Sequence, residues 1–158
     1  MVKVLFVCTG NICRSPLAEG ILRHKLDKIN FPAEVDSCGF ESFHVGDSPD
    51  VRALSVAKLR GIDISSHQAR LFTTGDFEAF DYIYAMETSH YNNIMRLAKH
   101  ESDRSKVDYV LNAIFPGQNR GVQDPWYHDI KAFEKVFLQL DEACDEIMQM
   151  LVKKSGKG

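Results

Sequence analysis

The chain has 158 residues, 44% of them hydrophobic and 26% charged, with a net charge of −3. That balance fits one globular domain large enough to bury a core without disulfides. It supplies no basic excess for nucleic acid or a membrane surface, so neither is expected as a partner. No apolar run approaches membrane-spanning length. The run Val4-Leu5-Phe6-Val7 is too short for a signal-peptide core and no cleavage site follows it, so a cytoplasmic protein is expected. The four cysteines, at positions 8, 13, 38 and 144, then read as free thiols. They form no CxxC pair and the histidines are scattered, so neither a metal nor another cofactor is expected.

Residues 2–7 are β-rich and almost continuously apolar, the pattern of a strand buried on both faces. Ser15 is placed to cap a helix with Pro16 at its first position, followed by Leu17, Ala18, Ile21, Leu22, Leu26 and Ile29 at helical spacing. A weaker strand is read over 33–39 and a helix over 49–60, stopped by Gly61. A third strand is read at 81–86, a helix over 88–98, a short strand at 106–111 and a loop over 112–128. An amphipathic helix over 129–152 closes the domain, with Phe133, Val136, Phe137, Leu140, Cys144, Ile147 and Leu151 on its inner face. Residues 1–152 are expected to be a single domain and 153–158 a flexible, solvated tail. Strands alternating with helices imply a parallel α/β sheet, whose ligands bind at the carboxyl ends of the strands. Cys8 lies at that end of the first strand.

The turn that follows, Cys8-Thr9-Gly10-Asn11-Ile12-Cys13-Arg14-Ser15, carries the chemistry. Gly10 and Asn11 tolerate positive φ, and successive turning residues aim backbone N–H groups inward as an anion nest. The next helix adds its unpaired N–H groups and positive dipole end. Arg14 can grip two phosphate oxygens at once. The same positive field favours a thiolate, so Cys8 is expected to be a nucleophile at neutral pH. A thiolate under a phosphate cradle suits phosphoryl transfer through a covalent cysteine intermediate. The Gly-Lys-Ser/Thr of a nucleotide-binding loop is absent.

The stretch "VCTGNICRSP" resembles the signature loop of the low-molecular-weight protein tyrosine phosphatases. The likeness continues in "DSCG", "SPDVRAL", "GIDISSHQAR", "DYIYAM" and "DPWY", in family order over nearly the whole chain. It implies a three-layer domain with a central four-stranded parallel sheet flanked by helices and a phosphate-binding loop, Thr9 to Ser15, after strand 1. It also implies a metal-free phosphatase acting on phosphotyrosine-containing proteins or small aryl phosphates, and the chain is expected to work as a monomer. By the same resemblance Asp124 of "QDPWY" is the general acid, returning as base for the attacking water. Ile12, Phe43, His44, Trp126 and Tyr127 become the substrate pocket.

Asn11, Ser15, Ser37 and His67 match a hydrogen-bond network behind the loop. A strained Asn11 needs such partners, while Ser15 serves as helix cap, as donor to the Cys8 sulfur, or as both. His67 alone reads as a structural histidine. Cys13 is a small residue packed under the loop or, by the resemblance, a reversible disulfide partner that protects Cys8. His24, His90, His100 and His128 read as solvated surface residues, and Tyr82 and Tyr84 as packing residues.

Three rival readings stand beside this one. Arsenate reductases of the same fold relay a disulfide through cysteines after the third strand, and residues 87–105 contain none. Protein-arginine phosphatases carry "GNTCRS", with threonine where this chain has Ile12. A non-catalytic phosphate-binding module would have no need of Cys8, Arg14 and Asp124 together.

Overall fold

The computed structural model describes residues 1–156. Strand β1 (Val2–Cys8) pairs in parallel with β2 (Ala33–Gly39) on one side and β3 (Tyr82–Ala85) on the other. Strand β4 (Val107–Tyr109) pairs in parallel with β3, giving the order β2-β1-β3-β4. The chain leaves β1 toward β2, then crosses back to β3. The carboxyl end of β1 is therefore the point where the winding reverses and a crevice opens.

The continuous apolar run of β1 has a direct cause. Val4, Phe6 and Cys8 face one core and Leu5 and Val7 the other. The first core lies under α1 (Arg14–Lys28), α2 (Val51–Lys58) and α6 (Ile130–Lys154). The second gathers Cys38, Phe72, Phe77, Phe80, Ile83 and Ile94 beneath α4 (Thr88–Leu97). All seven inner-face residues expected for α6 are buried, Cys144 among them, and so is Cys38. The helix read over 49–60 is shorter, α2 ending at Lys58, and Gly61, at φ 75°, sits in the turn beyond it, where its N–H bonds back to the Lys58 carbonyl. Among the described residues no helix is long and apolar enough to cross a membrane.

Several sequence expectations need correction. Arg14 opens α1, so Pro16 is its third residue rather than its first, still among the N–H groups that have no partner within the helix. Ser15 makes no cap, because its hydroxyl is engaged beneath the loop. Ile29 lies past the end of α1 and is exposed. Two single-turn helices, α3 (Asp76–Ala79) and α5 (Glu101–Arg104), were too short to show a period. The last helix runs through Lys154, two residues into the expected tail, while residues 157–158 of that tail lie outside the described residues.

Candidate active site

The loop after β1 is folded tightly against the end of β2. The Thr9 carbonyl accepts from the N–H groups of Phe40 and Glu41, both at 2.9 Å. A side chain at Gly39 would put its Cβ 2.5 Å from that carbonyl oxygen, so only glycine allows this approach. Asn11 takes the left-handed conformation, with φ 58°. Gly10, expected to share that role, does not have positive φ; a Cβ there would instead meet His44 at 3.0 Å.

The strain at Asn11 is of order 1 kcal/mol, and four hydrogen bonds from its side chain oppose it. Asn11 Oδ1 accepts from the Arg70 backbone N–H and from His67 Nε2, each at 3.0 Å, which fixes the orientation of the amide. Asn11 Nδ2 then donates to Ser15 Oγ at 2.8 Å and Ser37 Oγ at 2.9 Å. With Ser37 Oγ accepting from Asn11, its own hydrogen goes to Glu19 Oε1 at 2.7 Å. Ser15 accepts in the same way, so its hydrogen is free for the Cys8 sulfur at 2.9 Å, a closer partner than the Cys38 carbonyl at 3.4 Å. The expected network of Asn11, Ser15, Ser37 and His67 is thus brought together, and it delivers one O–H to the sulfur.

Glu19 closes the network. It lies 3.4 Å from His67 Nδ1 and pairs with Arg23 at 2.8 Å. Burial disfavours its ionisation, but hydrogen bonds from His67 and Ser37, with the charge of Arg23, prevail and hold the carboxyl below its ordinary range. Sequence reading missed Glu19 because an acidic residue on an amphipathic helix ordinarily faces water. Glu19, Asp36 and His67 offer three ligand atoms within 4.8 Å of one another, the one such cluster among the described residues. Their oxygens are already engaged by Arg23, Ser37 and Arg70.

Arg14 is only 2% exposed. Its Nη1 donates to Glu87 Oε2 and, at 2.8 Å, to the Val122 carbonyl. Nη2 donates to Thr9 Oγ1 at 3.3 Å and lies 3.6 Å from Asp124 Oδ2. The guanidinium is thus held along one edge, and Nε–H and the remaining Nη2–H are left for an anion. Glu87 is held in its ionised form by Arg14 against the opposing effect of burial. It lies 73 residues from Arg14 and was not identified from the sequence.

His90 corrects a further expectation. It is buried, not solvated, with Nε2 2.8 Å from Thr9 Oγ1. Burial first, and the charge of Arg14 second, push its pKa down to about 4.

Asp124 stands half-exposed across the cavity, its Oδ1 accepting from the Trp126 N–H at 3.1 Å. Arg52 ties this loop to α2. Its Nη1 donates to the His128 carbonyl at 2.5 Å and its Nη2 to the Trp126 carbonyl at 3.1 Å. Asp50 grips the other side of the same guanidinium with two contacts of 2.9 Å, and the group stacks over Phe133 at 4.4 Å. Arg52 was also missed, since nothing local marks a surface arginine as a tether.

Cys8, Thr9, Gly10, Ile12, Cys13 and Arg14 form the floor of a cavity of about 320 Å³, and Glu41, Phe43, His44, Asp124, Trp126 and Tyr127 its walls. Phe43 is 82% and Tyr127 84% exposed, so the mouth is apolar and open. His44 meets Trp126 edge-on at 5.4 Å between ring centres and is held by Asp47 at 3.0 Å. Cys13 is buried beneath, where burial and the charge of Asp50 push its thiol pKa well up. The cavity gathers the loop and pocket residues read from the sequence except Asn11 and Ser15, which are buried beneath the loop and do not line it, and it adds Glu41.

A parallel sheet that gathers a thiol, a buried guanidinium and a facing carboxyl at its winding reversal suits a phosphatase. Residues 3–157 match the family described as low molecular weight phosphotyrosine protein phosphatase, and the chain belongs to that family. A low molecular weight phosphotyrosine protein phosphatase of Schizosaccharomyces pombe is 43% identical over 153 residues, covering 95% of this chain and 97% of its own. The crystal structure of a protein tyrosine phosphatase from Entamoeba histolytica superposes with a TM-score of 0.88 at 32% identity, covering 100% of both chains. An arginine phosphatase from Drosophila also superposes with a TM-score of 0.88, at 34% identity, covering 95% of this chain and 98% of its own.

Proposed function

We propose that this chain hydrolyses phosphotyrosine in proteins, and small aryl phosphates, in two steps through a phosphocysteine at Cys8. The observation that carries this reading is the shared cavity: sulfur on the floor, Arg14 beside it and Asp124 facing them under an aromatic mouth. In the first step the Cys8 thiolate attacks phosphorus while Arg14 and the loop N–H groups hold the equatorial oxygens. Asp124 gives its proton to the departing phenolic oxygen. In the second, Asp124 as carboxylate takes a proton from water, which attacks the phosphocysteine and frees phosphate and the thiolate. Ser15 donates to the sulfur when it is an anion, which also makes it a better leaving group. Trp126, Tyr127 and Phe43 flank the phenyl ring, with Ile12 and His44 completing the slot.

The protein acts as a monomer in the cytoplasm. There Cys13, the thiol nearest in sequence to Cys8, serves as its reversible disulfide partner after oxidation by peroxide.

Cys8→Ser tests the mechanism. It should abolish turnover of para-nitrophenyl phosphate and phosphotyrosine while phosphate still binds; substantial turnover by the variant would sink the covalent route. Phosphoarginine is the comparison substrate, and preference for it would assign the site to an arginine phosphatase despite Ile12.

A further inference from the structure

His90, in the first turn of α4, takes no part in the chemistry above, yet it is buried against the phosphate loop. Its Nε2 lies 2.8 Å from Thr9 Oγ1. Its Nδ1 is, among the described residues, the only buried side-chain nitrogen or oxygen without a hydrogen-bond partner. The same Thr9 oxygen accepts from Arg14 Nη2 at 3.3 Å.

Two arrangements fit the 2.8 Å contact. If the Thr9 hydroxyl donates to a bare Nε2, the proton of the neutral imidazole sits on Nδ1, a buried N–H with no acceptor. If Nε2–H donates to Thr9, Nδ1 keeps only an unused lone pair. A buried orphan donor is the rarer and costlier of the two. The neutral imidazole is the relevant form, because burial and the charge of Arg14 outweigh the opposing charges of Glu87 and Asp124. The second arrangement is therefore favoured. Thr9 Oγ1 then receives N–H groups from both His90 and Arg14, which uses both of its lone pairs. Its own hydrogen must point elsewhere, and Thr9 lines the cavity floor beside Cys8.

We propose that His90 is a positioning residue: by donating to Thr9 it turns the Thr9 hydroxyl into a donor toward a phosphoryl oxygen in the cavity. This rests on the reading of the cavity as a phosphate site. Thr9 then contributes a side-chain hydrogen bond alongside the backbone N–H groups of the loop, and the bond to Arg14 Nη2 keeps it aligned with the guanidinium.

Two measurements test the idea, and neither depends on turnover. Nitrogen-15 NMR of the histidine-labelled protein at neutral pH should find His90 protonated on Nε2 and bare on Nδ1; a proton on Nδ1 overturns the proposal. Calorimetric titration with inorganic phosphate should find Thr9→Val and His90→Leu each weakened about tenfold, the effect of one hydrogen bond to a charged oxygen. The double variant should be no weaker than either single one, and His90→Gln, whose amide N–H can stand in for Nε2–H, should recover to within about threefold. Independent effects that multiply in the double variant, parent-like binding by His90→Leu, or glutamine as poor as leucine would each overturn it. If the leucine variant does not fold, the glutamine variant and the NMR result decide. Failure of the parent to bind phosphate at all would break the proposed function instead.

Discussion

The underside of the phosphate loop and the wall facing it are built on opposite plans. Beneath the loop, Asn11, Ser15, Ser37, Glu19 and His67 are buried or nearly so, and each is held by at least two others or by the main chain. Across the cavity, Asp124, Trp126, Tyr127 and Phe43 are partly or widely exposed, and Arg52 ties the loop that bears Asp124 through the Trp126 and His128 carbonyls. The difference follows the chemistry. Groups that stabilise charge at phosphorus must be oriented before the reaction, because reorienting them would cost much of what they contribute. Groups that handle the leaving phenol must admit it, protonate it and let it go, which calls for an open mouth on a loop.

Breaking the rigid side should cost most. Arg14→Lys removes the planar grip on two oxygens and leaves Glu87 with a differently placed cation. We expect kcat/KM for phosphotyrosine to fall by about a hundredfold or more, the scale of losing a preorganised donor to the transition state. Near-parent kinetics would reduce Arg14 to a structural role.

The open side should give a smaller effect that depends on the leaving group. Asp124→Asn should slow an ester of a phenol with pKa about 10 much more than an activated nitrophenyl ester, whose anion leaves unaided. A differential of about tenfold, roughly 1.4 kcal/mol of barrier, is expected. It must be read in kcat/KM, since on the proposed route both substrates share one phosphoenzyme afterwards. Equal slowing would mean that Asp124 only shapes its loop. Asp129, the next carboxyl to consider from the sequence, is occupied as the N-cap of α6, accepting from the Ala132 N–H at 3.4 Å.

The tether can be loosened by itself. Arg52→Ala leaves the cavity floor intact but frees the Trp126 and His128 carbonyls. It should lower kcat/KM by about threefold to tenfold, with phosphate affinity little changed. An equal loss of phosphate affinity would show that floor and wall are coupled rather than separate.

What was legible in the sequence follows the same division. The loop could be read because its signals are local: an apolar strand, turn residues, a thiol and an arginine within seven positions. Asp124 was legible only through the Asp-Pro of the family resemblance. Glu87, Arg52 and His90 were not, because their partners lie 73, 76 and 81 residues away and nothing in their own neighbourhoods marks them. His90 sits in a helix whose other residues are mostly polar, and only the fold turns it inward. Ser15 had two compatible local roles, cap and sulfur donor. The structure chooses the second because Asn11 Nδ2 reaches its oxygen from below.

The smallest effect we expect is one of stability, and it measures how far the underside is held by charge. Glu19 is 8% exposed and its carboxyl titrates below the ordinary range, because hydrogen bonds from His67 and Ser37 and the charge of Arg23 outweigh burial. A carboxyl with a lowered folded pKa contributes stability that is fully present above its unfolded value and is lost as pH falls through the folded one. Glu19→Gln keeps the shape and can still accept from Ser37, but it removes the charge facing His67 and Arg23. We expect it to destabilise the protein by about 1 kcal/mol at pH 7, measured by urea unfolding. As pH falls below the ordinary glutamate range and through the lowered folded value, the parent carboxylate is itself protonated, so the two unfolding curves should converge in acid. A gap that persists unchanged into acid would mean that Glu19 supports the loop by packing rather than by charge. The kinetic constants at pH 7 should change by less than about threefold, because Asn11 keeps its bonds to Arg70, Ser15 and Ser37.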